Sequence, residues 1–292
     1  MTLAPILILA GVLAAVGAFI AARDRLNDAA TPVVSGLTLP GEPPRVMAIW
    51  AHPDDEVAAA GALYQTAQRP GAHVVIVHLT AGEAARASGL PPTVLAEARR
   101  GEAQAAGRLL GAAKTYVLNF PDGGLCATAA GPVKSVLSDL IDQHRPAVLV
   151  SFDDRVGYYG HPDHVQAGRW VREIFQERCA DDAFTPLRLY QATLPPPLIA
   201  LARRHVKAFR DRYPENPDEG LPPPSIGIRI VRSAAVKRRL LDVHKTQAQV
   251  MADVQPFYDK VPAWLYYRLF DREYFALAEA RSSSPSPART TS

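Results

Sequence analysis

The sequence predicts an α/β domain whose sheet is mostly parallel and covered by helices on both faces. Two observations carry that expectation. Short runs at 46–50, 73–79 and 147–152 are almost wholly apolar, as strands buried on both faces must be. Each is followed by a longer stretch with apolar residues at helical spacing, and alternating strands and helices make parallel sheets.

The elements follow in order. Residues 46–50 form the first strand, and a helix runs from near Asp55 to Gln68, closed by Pro70-Gly71. The second strand, 73–79, ends in the polar turn Thr80-Ala81-Gly82-Glu83. Thr93 caps a helix that stops at Gly111. A short strand at 114–118 ends in Phe120-Pro121-Asp122-Gly123-Gly124. Pro132 opens a helix with Val133, Val136, Leu137, Leu140 and Ile141 on one face. The fourth strand, 147–152, is followed by Asp153-Asp154, a loop to His164 and a helix to about Arg178. Further on, 187–192 and 226–231 read as strands, with one helix near 198–212 between them inside a Pro-rich insertion at about 195–224. Residues 234–247 form an amphipathic helix. No element is assigned from 248 to 281, and the Ser/Pro/Thr-rich stretch 281–292 is expected to be disordered.

A chain of 292 residues accommodates one large domain with additions. Its net charge of +3 comes without a long basic block, which argues against a nucleic-acid partner. Cys126 and Cys179 form no metal-binding or redox spacing. Residues 3–22 carry no charge and would span roughly 30 Å as a helix. They read as a single transmembrane anchor (1–22) in preference to a cleaved signal peptide, because the usual basic leader is missing. Residues 23–44 read as a linker. Arg23 and Arg25 lean the orientation toward a cytoplasmic catalytic domain.

The chemistry concentrates at strand ends. Ala51-His52-Pro53-Asp54-Asp55-Glu56 puts an imidazole and three carboxylates at the C-terminal end of the first strand, where open α/β sheets bind ligands. His52 and Asp55, three apart at a strand-to-helix turn, can reach one metal ion. His164 can complete a two-imidazole, one-carboxylate set that leaves a coordination position open. Asp54 is then free to serve as a base, and His161 sits three residues before His164 without being needed as a ligand. The plainer readings are that Asp163 caps a helix, that Glu56 is a first-turn acid favoured by the helix dipole, and that His73 and His78 are structural. His244 and Gln247 stand equally as neighbours of the site or as helix-end caps.

His52-Pro53-Asp54-Asp55-Glu56 together with Gly160-His161-Pro162-Asp163-His164 resembles the LmbE/PIG-L superfamily of zinc-dependent de-N-acetylases. The likeness continues more thinly to Lys237…His244-Lys245-Thr246-Gln247. It implies a Rossmann-like three-layer sandwich over about 45–280 and hydrolysis of the acetyl group of an N-acetylglucosamine conjugate. By the same resemblance His52, Asp55 and His164 hold the metal and Asp54 is the general base. His161 stabilises the tetrahedral intermediate or protonates the leaving amine, and Tyr159 polarises the substrate carbonyl. Arg99 and Asp122 match positions that contact sugar hydroxyls. Two departures stand out. The loop after the second strand lacks the family's longer Gly/Glu-rich sequence, and Asp153-Asp154 replaces a common Asp-Pro.

Zinc suits this donor set, and ferrous iron uses the same one. A non-haem iron oxygenase and a non-catalytic sugar-binding protein are therefore the competing readings. The apolar N-terminal helix adds the expectation of a lipid-linked substrate sharing its membrane.

Overall fold

The computed structural model describes residues 3–85 and 88–281, with side chains from residue 9 onward. Its centre is β2 (Arg45–Trp50), apolar on both faces and buried from Val46 on. Beside it lie β3 (His73–His78) and β4 (Lys114–Val117) on one side, and β5 (Val148–Ser151) and β6 (Arg188–Thr193) on the other, all parallel. The strand order therefore reverses between β2 and β5, which makes their C-terminal ends a topological switch point.

Helices cover both faces. α2 (Ala60–Ala67) and α3 (Pro92–Leu110) pack with Val46, Ala48 and Trp50 on one side. α4 (Ala130–His144) and α6 (Pro162–Arg178) pack with Met47, Ile49 and Ala51 on the other, and the four-residue α5 (Gly157–Gly160) precedes α6. Alternate residues of one strand thus feed two separate cores, as the strand period requires. α2 does not start at Asp55. Residues Asp55–Ala59 form a tighter 3-10 turn first, so that the polar cluster is held off the helix proper.

The last third departs from the sequence expectation. The insertion carries two helices rather than one, α7 (Pro196–His205) and α8 (Lys207–Arg212), broken where Val206 turns extended. After β7 (Ile226–Arg229) come α9 (Ala234–Val243), α10 (Ala248–Val254) and α11 (Ala263–Leu269). The chain closes with β8 (Arg272–Ala280), antiparallel between β6 and β7. The Ala- and Glu-rich composition of β8 favours a helix, but the slot between two strand edges decides for a strand. The stretch read as a linker contributes β1 (Val33–Val34), parallel to β7, and buries Leu37 in the core.

The expected transmembrane helix is not borne out. Among the described residues no helix is long and apolar enough to cross a membrane. α1 (Leu3–Leu26) forms, but Arg23, Asp24 and Arg25 occupy its end. α1 also lies against α7 and α11, and Asn27 just beyond it donates to the Leu269 carbonyl at 2.8 Å. The single-pass membrane placement, with its lean toward a cytoplasmic catalytic domain, falls with the anchor. The expected disordered tail lies outside the described residues from 282 onward.

Phe175 is 1% exposed and meets the Phe184 ring edge-on at 5.5 Å. Phe175→Ala should lower the unfolding free energy by about 3–5 kcal/mol, read from the shift of a urea unfolding midpoint.

Candidate functional site

The switch point brings together loops that are more than a hundred residues apart in sequence. His52 Nδ1 lies 3.5 Å from Asp55 Oδ2, His164 Nε2 lies 3.1 Å from Asp55 Oδ1, and the two imidazole nitrogens face each other at 3.3 Å. The other nitrogen of each ring is engaged. His164 Nδ1 meets the Gly157 carbonyl at 3.1 Å. His52 Nε2 meets Asp122 Oδ1 at 3.0 Å and Asp163 Oδ2 at 3.3 Å. A ring with one proton spends it on these acceptors, which leaves Nδ1 of His52 and Nε2 of His164 bare and pointed at a carboxylate. Two bare nitrogens and an anionic carboxylate in contact present three donor groups and a net negative charge to one point. This donor set fits a divalent cation.

His52 also touches a second group of possible ligands, Asp122 and Asp163. Those carboxylates are already committed. Asp163 accepts the Gly123 amide at 2.7 Å and the Leu125 amide at 3.2 Å, and Asp122 accepts the Ala84 amide at 2.7 Å. They therefore act as acceptors that orient His52. In metal-free protein, burial pulls the His52 pKa down, but hydrogen bonds to Asp122, Asp163 and Asp55 outweigh it and hold it well above the ordinary imidazole value, so that a second proton on His52 takes the place a cation would fill. Burial pushes Asp55 up, and His164 and His52 more than reverse this, holding it well below the carboxylate range.

Asp54 sits beside this set in a left-handed conformation, φ 107°, which costs a non-glycine residue about 1–3 kcal/mol. Its Oδ2 lies 3.1 Å from Arg99 Nη2. Burial raises its pKa, Arg99 opposes that, and Asp55 adds to it. Arg99 is itself buried and donates to the carbonyls of Gly82 (3.0 Å) and Pro53. A Cβ at Gly82 would fall 2.2 Å from the Arg99 guanidinium. Only glycine in the Thr80–Glu83 turn lets the arginine through.

The second loop is shaped by Asp153, whose carboxylate accepts the amides of Arg155 (3.1 Å), Val156 (2.6 Å) and Tyr158 (2.9 Å). The turn that follows carries Tyr159 and His161 to the rim. His161 N-caps α6 and accepts the Asp163 amide at 3.2 Å through Nδ1. Its ring stacks on His164 at 4.7 Å and lies 4.9 Å from His52, so that His52, His161 and His164 also lie close enough to share an ion. Burial, with His164 and His52 nearby, lowers the His161 pKa to about 3. The Tyr159 ring meets His164 edge-on at 5.1 Å, and burial raises its hydroxyl pKa far above the usual phenol value.

The structure thus gathers His52, Asp54, Asp55, Tyr159, His161 and His164, and sets Arg99 and Asp122 behind Asp54 and His52. Asp163, which the sequence presents as a helix cap, instead accepts from the Gly123 and Leu125 amides and meets His52. Its place between His161 and His164 was the available signal.

Fold and donor set together define an open α/β protein with a candidate metal site at its switch point. A family model described as PIG-L, GlcNAc-PI de-N-acetylase, matches residues 47–175. A Frankia casuarinae protein named 1D-myo-inositol 2-acetamido-2-deoxy-alpha-D-glucopyranoside deacetylase 2 is 31% identical, over 88% of this chain and 94% of that one. This chain belongs to the GlcNAc-PI de-N-acetylase family. Among solved structures, the N,N'-diacetylchitobiose deacetylase of Pyrococcus horikoshii matches with TM-score 0.57 at 21% identity, covering 80% of this chain and 82% of that one. The hydratase GalB of Pseudomonas putida KT2440 matches with TM-score 0.58 at 17% identity, covering 83% of this chain and 99% of that one. Both show the fold alone.

Two outcomes check this geometry. Gly157 has φ +62°, and a Cβ there would lie 2.7 Å from the His164 Cβ and 2.6 Å from the Val165 amide. Gly157→Ala should therefore lower the affinity of this candidate site for a divalent metal by about 10- to 100-fold, measured by chelator competition. In metal-free protein the neutral His161 ring is favoured by folding. Its share of stability is full above the ordinary imidazole value and is lost as pH falls toward about 3. A ring-proton NMR titration should find His161 still uncharged at about pH 5.

Proposed function

We propose that this protein is a metal-dependent amide hydrolase that removes the acetyl group from an N-acetylglucosamine conjugate, releasing acetate and a free amine. One observation carries the reading. His52 Nδ1 and His164 Nε2 face each other at 3.3 Å, Asp55 meets them through its two oxygens at 3.5 and 3.1 Å, and Asp54 lies beside them, in a chain whose family is named for this reaction. His52, Asp55 and His164 are the metal ligands in this reading. A divalent ion held by them would supply Lewis-acid polarisation of the acetyl carbonyl and a lowered pKa for a bound water. Zinc matches the donors, and ferrous iron is the other metal to load.

The remaining steps belong to the chain's own groups. Asp54 takes the proton of the attacking water. His161, neutral at working pH, stands at the rim to hydrogen-bond the developing oxyanion through its one N–H, and the proton that Asp54 takes from water is the one passed to the leaving nitrogen. Tyr159 keeps its hydroxyl proton because burial raises its pKa, which leaves it an O–H to donate toward the carbonyl oxygen. Arg99 and Asp122 have little surface left for a sugar, with side chains 3% and 8% exposed. We assign them to holding Asp54 and His52 in place. The Frankia relative is named for an N-acetylglucosamine joined to myo-inositol, which makes that glycoside the first conjugate to test.

Mass spectrometry across a panel of N-acetylglucosamine conjugates, the inositol glycoside included, should show loss of one acetyl group with metal supplied. No acetate from any member would end the proposal, and oxygen consumption in its place would favour an iron oxygenase. Asp54→Ala should keep its metal while turnover falls by about 100- to 10,000-fold. His52→Ala should lose both, as read by elemental analysis beside the acetate assay.

A further inference from the structure

The polar cluster contains a third acid, and the mechanism above leaves it idle. Glu56 is fully buried, so its charge must be met by donors within the protein. His78 Nε2 from β3 lies 3.0 Å from its Oε2. His244 Nε2, just past α9, lies 2.6 Å from its Oε1. The backbone amide of Asp54 donates to Oε2 at 3.0 Å. Among the described residues the outer Nδ1 atoms of both histidines have no hydrogen-bond partner. Each ring therefore directs its one useful N–H at Glu56.

The same C-terminal segment grips the neighbouring residues. Lys237 of α9 donates to the Val57 carbonyl at 3.0 Å and pairs with Glu273. Glu273 accepts the Gly61 and Ala62 amides at 2.9 Å each, at the start of α2. Glu102 of α3 holds Thr246 through its amide and hydroxyl, both at 2.8 Å. Residues 56–62 are thus clamped from α9 and β8, and the tether nearest the site is Glu56. What it ties down is the amide of Asp54, the residue in a strained left-handed conformation. Such a conformation persists only where its surroundings over-determine it.

We propose that Glu56, oriented by His78 and His244, is a positioning residue for Asp54. It holds the Asp54 amide, keeps the backbone in the left-handed turn, and so sets the carboxylate beside Arg99 and next to the donor set. This inference rests on the reading of Asp54 as the base. The late Lys237…His244-Lys245-Thr246 segment gains a role by it: it is the arm that reaches across the molecule to fix the base.

The test uses His244→Ala, His244→Gln and Glu56→Gln in the full chain with metal supplied. A glutamine amide nitrogen can stand where His244 Nε2 stood, whereas alanine offers no donor. His244→Ala should keep its metal and a KM within about threefold, with kcat down about 100-fold. His244→Gln should recover most of that loss. Nitrogen-15 NMR of labelled histidines should show His78 and His244 of the wild type with Nε2 protonated and Nδ1 bare, and Glu56→Gln should shift the signals of both. Unimpaired kcat in His244→Ala, equal losses in the alanine and glutamine variants, or Nδ1 protonation in the wild type would each overturn the inference. If the wild type itself released no acetate, the functional reading would fall and this inference with it. Wild-type turnover alongside an unimpaired His244→Ala sinks this inference alone.

Discussion

Asp54, Asp55 and Glu56 are consecutive, and all three are withdrawn from water. Adjacent carboxylates cannot be buried together unless each meets its own cation or set of donors. Each is answered from a different part of the chain. Asp54 faces Arg99 of α3, Asp55 faces His52 and His164 across the switch point, and Glu56 faces His78 of β3 and His244 after α9. Their side chains diverge because the turn is irregular, left-handed at Asp54 and 3-10 from Asp55 onward. A regular helix would have set neighbouring residues only about 100° apart on a single face system. Much of the tertiary arrangement near the site can be understood as the delivery of these partners.

The sheet supplies the common ground on which they meet. β2 and β5 lie side by side in parallel, and the chain leaves them toward opposite layers, so their C-terminal ends open a crevice between two loops. The first loop carries His52 and Asp55, and the second carries His161 and His164. The match to a hydratase with the same fold is a reminder that the crevice does not specify the reaction. The donor set and the base beside it carry the chemical argument, and family membership gives it direction.

Parallel strands and their helices were legible because a strand buried on both faces must be apolar throughout. The later elements were less so. β8 is built from helix formers and becomes a strand because β6 and β7 leave two edges for it. The apolar N-terminal run suggested a span of the membrane, but hydropathy says nothing of where a helix packs, and α1 ends in charged residues against α7 and α11. Asp163 and Glu56 were set aside as helix-end acids because acids are ordinary at helix starts. Only their partners distinguish them, and the most distant of those lie 111 and 188 residues away.

The sequence by itself determined the layered α/β class, the location of the chemistry at strand ends, and the residue types of the site. These depend on local periodicity and on short motifs, which are properties of neighbouring residues. Only the tertiary structure decided which nitrogen of each imidazole is left bare, which carboxylates orient a histidine rather than face the site, and what restrains Asp54. Those outcomes depend on which groups remain unpaired after distant elements pack, and pairing between distant groups has no local signature in the chain.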